Sequence, residues 1–446
     1  MTATGARRPW GRAALWLLLL GPLFFLSYGY ANSVAATRAD VPSIVFAWEH
    51  AIPFWAWTIV PYWSIDLFYG ISLFVCRDKR ELDTQAFRLL TAQVIAVGCF
   101  LLFPLHFTFT RPDTGGVFGW LFDVLLGFDK PFNQAPSLHI VLLIVLWVRF
   151  AHHLSGAWRW LLHLWFALIG VSVLTTYQHH FVDIPTGVLA GWLCVWLWPE
   201  RIRAPWRDVA FAHDPQRWML AAAYLAGAAL CAWGAVAVGG WALWLWWPAT
   251  SLALVALNYA VLGSAGFQKR DDGRLSVAAR WLYAPYLLGA WINSRWWTRR
   301  EPQPVWVIEE IWLGRVPSRG ERDGYARVVD VSAELSLMAR REGDVVWPML
   351  DLVAPTPEQL RGVADAIEAV RGRGEILVCC ALGYSRSAAA VAAWLLRSGR
   401  AATIEDAIVI LRRARPAIVL RERHRRALGL MMREAAPTAR LKEHTA

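Results

Sequence analysis

The chain has 446 residues, of which 57% are hydrophobic and only 18% charged, and it contains 29 tryptophans. Soluble domains are about half apolar and about a quarter charged, so a wholly soluble protein is excluded and much of this chain belongs in lipid. The formal net charge of +11 fits arginine-rich loops beside apolar segments, and no nucleic-acid partner is expected.

In chain order, eight apolar runs approach the roughly 20 residues that cross a bilayer. They are 13–30, 54–76, 89–108, 136–152, 160–176, 183–199, 218–238 and 241–263. Arg7, Arg8 and Arg12 precede the first run, and Ser33-Val34-Ala35 after it has the form of a cleavage site. That run reads as an uncleaved span, which we prefer, or as a signal peptide. Basic residues gather in alternate loops: Arg77, Lys79 and Arg80; Arg149 and Arg159; Arg201, Arg203, Arg207 and Arg217; Lys269, Arg270 and Arg274. The excess of positive charge in cytoplasmic loops places these, and the N-terminus, inside. Residues 275–294 are apolar but carry Arg280, Pro285 and Asn293 between basic flanks. An interfacial helix there keeps the rest of the chain inside; a ninth span would place it outside. The interfacial helix is preferred. The expected location is the cell inner membrane, multi-pass, with the C-terminal domain cytoplasmic.

From about 304 the pattern changes. VWVIEEIWLG reads as a strand pair, RVVDVS, DVVWPML and EILVCC as strands, and PEQLRGVADAIEAV as a helix with Leu360, Val363, Ile367 and Val370 on one face. SAAAVAAWLLRS is a helix closed by Gly399, and Thr403 with Asp406 makes a capping box for the next. Strands alternating with helices indicate an α/β domain. The expected fold is a polytopic α-helical membrane domain of about eight spans followed by an α/β cysteine-phosphatase domain. Its expected parts are 1–50 (first span and linker), 51–200 (a membrane domain), 201–300 (two further spans and an interfacial helix) and 301–446 (the α/β domain).

The chemistry of the α/β domain sits in VCCALGYSRSAAAV. A strand ends at Cys380, a loop follows, and a helix begins near Arg386. Such a loop aims backbone N–H groups, Gly383 among them, at one point on a helix N-terminus, which favours an anion. Arg386 adds a bidentate phosphate ligand. The same field favours a thiolate at Cys380, and a thiolate attacks phosphorus to give a phosphocysteine. Ser387 can hydrogen-bond the departing sulfur. Asp351, 29 residues upstream, is the candidate acid for the leaving oxygen and then the base for water. No lysine or extra arginine lies between Ala381 and Ser385, so a phosphate monoester is expected rather than a multiply phosphorylated substrate. The six cysteines show no spacing for a disulfide framework or zinc, and neither metal nor cofactor is expected. Residues 304–435 resemble the dual-specificity and tyrosine phosphatase superfamily through Cys380-x5-Arg386-Ser387 and Asp351 before a Pro-containing loop. Where that family usually has histidine before the nucleophile, this chain has Cys379.

Polar groups also gather at the ends of the apolar runs: Arg111-Pro112, Pro136-Ser137-Leu138-His139 and His179-His180-Phe181-Val182-Asp183. By the topology above all lie at the outer face, and ionisable groups at membrane depth indicate function. His179 is the candidate nucleophile, with Asp183 one turn on to orient it. His139 is the candidate acid for the leaving oxygen, and Arg111 and the backbone at Ser137 would hold phosphate. Residues 50–200 resemble the type 2 phosphatidic acid phosphatase superfamily in these three motifs. Pro104 and Val173 stand where that family has a lysine and an arginine. This makes the pattern similar also to lipid headgroup transferases such as sphingomyelin and inositol phosphorylceramide synthases. The whole chain resembles bacterial fusions of a phosphatidic acid phosphatase-like membrane domain with a dual-specificity phosphatase. The resemblance implies a phospholipid-metabolising membrane phosphatase whose partners are membrane phospholipids or lipid phosphates. Headgroup transfer at the outer site, or a phosphoprotein substrate and a regulatory role for the cytosolic domain, are the alternatives.

Overall fold

The computed structural model describes residues 8–127 and 129–435, so Arg7 lies outside the described residues. The chain divides into two compact units, Met1–Ala204 and Pro205–Ala446.

The first unit is helical: α1 (Trp10–Ala36), α2 (Ile59–Phe74), α3 (Lys79–Leu102), α4 (Gly116–Leu126), α5 (Leu138–His153), α6 (Gly156–Thr175) and α7 (Asp183–Leu197). Asp78 starts α3 by accepting the Glu81 N–H at 2.9 Å, and Ser137 caps α5 at the Ile140 N–H. α5 and α7 pack closely because Gly187 and Gly191 lie one turn apart on α7. A Cβ at either would stand 2.7 Å from the Cβ of Ile140 or Ile144. Arg149, taken above as a loop cation, is fully buried. Its guanidinium bonds Glu81, Glu200 (2.6 Å) and Gln85 (3.3 Å), and Arg88 bonds the same Glu200 at 2.8 Å. A buried arginine needs such partners, and its sequence neighbourhood does not reveal them.

The second unit begins with α8 (Pro215–Val238) and a helical run, 240–267, that contains α9 (Trp246–Leu257) and then a π-turn at Asn258–Leu262. The segment 275–294 is two helices, α10 (Val277–Leu282) and α11 (Ala284–Trp297), broken where Pro285 opens the second. Five strands follow with helices between them: β1 (Val305–Ile308), β2 (Ile311–Arg315), α12 (Arg319–Arg322), β3 (Arg327–Ser332), β4 (Val345–Met349), α13 (Pro357–Ala369), β5 (Ile376–Cys380), α14 (Arg386–Arg397), α15 (Ile404–Ala414) and α16 (Glu422–Ala435). The sheet order is β1-β2-β5-β3-β4, parallel except for the antiparallel edge strand β1. Five helical segments of the described residues are long and apolar enough to cross a membrane, namely Trp10–Ala36, Lys79–Leu102, Gly156–Thr175, Pro215–Val238 and Gly240–Phe267. α4, α12 and α16 were not legible in the sequence.

β5 alternates between two cores. Ile376, Val378 and Cys380 face the large core under α13 to α16, whereas Leu377 and Cys379 face a smaller one with Val328, Leu337 and Ala381. Ala290 of α11 packs on the smaller core. Lys269 is buried on the same side. Its ammonium donates to Asp330 (2.5 Å), the Ser332 carbonyl (2.6 Å) and the Leu335 carbonyl (2.7 Å). The helical segment and the sheet thus share hydrogen bonds as well as apolar contact.

Candidate active sites

The end of β5 and the start of α14 build a tight cradle. The Gly383 N–H donates to the Cys380 sulfur at 3.2 Å, and the Ser387 hydroxyl lies 3.3 Å from it. Gly383 has φ +81°, and a Cβ there would meet the Gly314 backbone at 2.5 Å, so the loop requires glycine. Side chains and backbone hold the cradle from outside. Arg415 donates to the Gly383 carbonyl at 3.4 Å and the Val419 N–H to the Tyr384 carbonyl at 2.8 Å. Ser294 of α11 donates to the Ala381 carbonyl.

Arg386, 1% exposed, is clamped by Glu334, with Nη1 2.8 Å and Nη2 2.7 Å from its two carboxylate oxygens. Nη1 also donates to the Met349 carbonyl at 3.0 Å, and Nη2 lies 3.0 Å from Asp351. Its buried Nε has no hydrogen-bond partner among the described residues. An unpaired buried guanidinium N–H is costly, and it leaves one donor of the fork for an anionic ligand. Burial pushes the Asp351 carboxyl up and Glu334 pushes it the same way, against the pull of Arg386. Burial alone would also raise Glu334, but the charge and hydrogen bonds of Arg386 hold it below the usual carboxylate range. One acid is thereby kept ready to hold a proton and the other to stay ionised.

The family described as dual specificity phosphatase, catalytic domain, matches residues 329–434. Those residues form a dual specificity phosphatase domain. Solved structures are similar to this part of the chain. Tk-PTP in its active form is 26% identical, covering 30% of this chain and 98% of its own, with a TM-score of 0.26. Human DUSP28 is 27% identical, covering 30% and 95%, with a TM-score of 0.27. PTPMT1 in complex with PI(5)P is 18% identical, covering 30% and 96%, with a TM-score of 0.25. No curated protein is significantly similar to the chain.

Cys380, Arg386, Asp351, Ser387 and Gly383 are therefore brought together in the phosphatase domain. Cys379 is not part of the cradle. It points to the opposite face of the sheet, and burial, reinforced by the Asp330 charge, pushes its thiol up. Two site groups were missed in the sequence. Glu334 is 52 residues from Arg386, and no local spacing links them. His424 of α16 lies 3.1 Å from the Ser385 hydroxyl. Burial and then the Arg421 charge push this imidazole down, so a neutral ring buttresses the loop from the side opposite Cys379.

In the first unit the structure brings together His139, His179 and Asp183. His179 Nδ1 lies 3.1 Å from Asp183 Oδ2, which also accepts the His180 N–H at 3.0 Å. His139 stands with its ring 6.5 Å from that of His179, stacked on Tyr62 at 3.9 Å. Its Nε2 is buried without a hydrogen-bond partner among the described residues. The Ser137 N–H donates to the Asp183 carbonyl at 3.1 Å and its hydroxyl oxygen accepts the Ile140 N–H at 3.4 Å, so both groups are engaged within the fold. Arg111 lies over the Phe122 ring at 4.4 Å. His180 is held on both ring nitrogens, by Glu49 at 3.1 Å and by the Thr108 N–H at 3.2 Å. Both ring nitrogens of His180 are thus engaged within the fold.

Proposed function

We propose that this chain is an integral membrane phosphatase of phospholipid metabolism. The cysteine site removes phosphate from a lipid phosphate monoester at the cytosolic face of the inner membrane, and the histidine site works on a lipid phosphate at the outer face. The observation that carries this reading is the bonding of the phosphatase site to apolar helices of its own unit. The Tyr259 hydroxyl donates to the Asp351 carbonyl at 3.0 Å, Gln216 to the Leu352 carbonyl at 2.5 Å, and Ser294 to the Ala381 carbonyl.

In the first step the Cys380 thiolate attacks phosphorus. The S–P bond forms, the P–O bond to the alcohol breaks, and Asp351 gives its proton to the leaving oxygen. Arg386 and the cradle N–H groups take up the charge on the phosphoryl oxygens. In the second step water attacks phosphorus, Asp351 takes a proton from it, and the S–P bond breaks with Ser387 donating to the sulfur. The products are the alcohol and inorganic phosphate.

At the outer site, headgroup transfer is a second reading. Val173 supports it. The residue is buried, and its carbonyl accepts the His179 N–H at 3.1 Å, so an apolar side chain stands where the resemblance implies an arginine. A phosphodiester, with less charge than a monoester, fits a pocket with fewer cations.

The test uses the full chain in detergent with phosphatidic acid, a diester lipid and an aryl phosphate. Cys380→Ser should abolish aryl phosphate hydrolysis, and His179→Ala should abolish turnover at the outer site alone. Full aryl phosphatase activity in Cys380→Ser would overturn the cysteine mechanism. Fast release of phosphate from phosphatidic acid that needs His179 selects hydrolysis over transfer.

A further inference from the structure

Three tyrosines outside the phosphatase domain gather at its acid loop. Tyr224 lies on α8, Tyr259 in the π-turn after α9, and Tyr286 on α11. Tyr224 stacks on Tyr259 with ring centres 5.4 Å apart and meets Tyr286 edge-on at 5.8 Å. Tyr224 thus touches both of the other rings and joins the three into one cluster. Tyr259 is bonded to the backbone of the acid itself. A π-turn inside a helix often marks a functional position, and here it carries Tyr259 to that backbone.

Packing alone does not account for three hydroxyls. Phenylalanine rings would fill the same space, and a tyrosine in an apolar helical segment needs a polar partner. Tyr283 is the contrasting case. It is buried and satisfied within the helices, by Asn258 and the Gly266 carbonyl, both at 3.2 Å. The other three cluster at the acid loop, where the Tyr259 hydroxyl meets the Asp351 carbonyl and Tyr224 joins Tyr259 to Tyr286. The three side chains themselves offer hydroxyl donors and acceptors plus aromatic faces and carry no cation; the neighbouring Arg217 is engaged by the Tyr259 and Asn258 carbonyls, at 2.8 and 3.3 Å. The cradle residues Ala381 to Ser385 add no cation.

We propose that Tyr224, Tyr259 and Tyr286 form a headgroup subsite of the phosphatase site, which receives the neutral, hydroxylated alcohol half of a membrane-anchored phosphate monoester. This rests on the lipid phosphatase reading above and narrows its substrate to a polyol headgroup with a single phosphate. The acyl chains lie along the exposed apolar side chains of α11, which include Leu288, Trp291 and Ile292.

The experiment compares full-length wild type, Tyr224→Phe and Tyr286→Phe in mixed micelles. The probes are phosphatidylinositol 4-phosphate, phosphatidic acid and para-nitrophenyl phosphate. Each substitution keeps the ring and removes one hydroxyl. Wild type should prefer the inositol lipid to phosphatidic acid. Each variant should lower the ratio of kcat/KM on the inositol lipid to that on the aryl phosphate about tenfold, the effect of one lost hydrogen bond, through KM. An unchanged ratio in both variants overturns the subsite, as does a wild type that turns over both lipids equally. A wild type without aryl phosphatase activity would instead remove the phosphatase reading on which the subsite rests.

Discussion

Asp351 and Glu334 both reach Arg386, yet their surroundings push them in opposite directions, up by burial for Asp351 and down through Arg386 for Glu334. The difference assigns the roles. A raised carboxyl keeps its proton to higher pH, so hydrolysis that needs the acid holds at low pH and falls as pH rises through that raised value. Asp351→Asn should remove this alkaline limb. It should also slow an alkyl phosphate by roughly 10²- to 10⁴-fold, and an aryl phosphate, with its better leaving group, far less. The measurement is a pair of pH–rate profiles, and an alkaline limb that survives in the variant would assign the proton to another group. At this scale the sequence speaks where the geometry is local. Cys380, Gly383, Arg386 and Ser387 share one loop, and a strand–loop–helix turn fixes their relation. His179 and Asp183 are likewise one helical turn apart. Glu334 and His424 come from distant segments, and only the folded sheet brings them to the cradle.

Elements were legible where one period or one cap decided them. α13 keeps Leu360, Val363 and Ile367 buried on one face, and α15 starts at the Thr403–Asp406 capping box. The loops between apolar runs were harder, because a cation at a run's end is the same residue type whether it meets water or a buried carboxylate. Lys269 shows this. Read as a loop charge, it is instead a buried ion pair with Asp330, both side chains fully inaccessible. It also holds the carbonyls of Ser332 and Leu335 on either side of Glu334. Through that loop it positions the carboxylate that clamps Arg386. Lys269→Met leaves Asp330 buried and unpaired, which costs roughly 3–5 kcal/mol. Thermal unfolding in detergent should show the loss, and adding Asp330→Asn should recover part of it. If the role extends to Arg386, the surviving Lys269→Met protein should show a raised KM for aryl phosphate. A normal KM would confine Lys269 to stability.

At the scale of the whole molecule, the change of pattern near residue 304 suggests a domain boundary, and the residues of the cysteine site all lie beyond it. The contacts place the working unit earlier, at Pro205. Ser294 holds the cradle at Ala381, Tyr259 and Gln216 hold the acid loop, and Lys269 holds the loop of Glu334. The Leu337 N–H also bonds the Gly273 carbonyl at 2.8 Å. A fragment starting at 301 loses all of these and bares the smaller core around Leu337, Cys379 and Ala381, against which Ala290 packs. Exposed apolar surface favours association, and a cradle without Ser294 has one carbonyl unanchored. Residues 205–446, purified in detergent, should therefore keep most of the aryl phosphatase activity of the full chain. Residues 301–446 should be aggregation-prone and, in the soluble fraction, at least tenfold slower, as expected for the loss of one or two hydrogen bonds that hold catalytic geometry. Size-exclusion chromatography and kcat/KM on an aryl phosphate decide it. A monomeric 301–446 fragment with full activity would show that the helical segment serves only as an anchor, and would also remove the structural basis for a headgroup subsite built from its tyrosines.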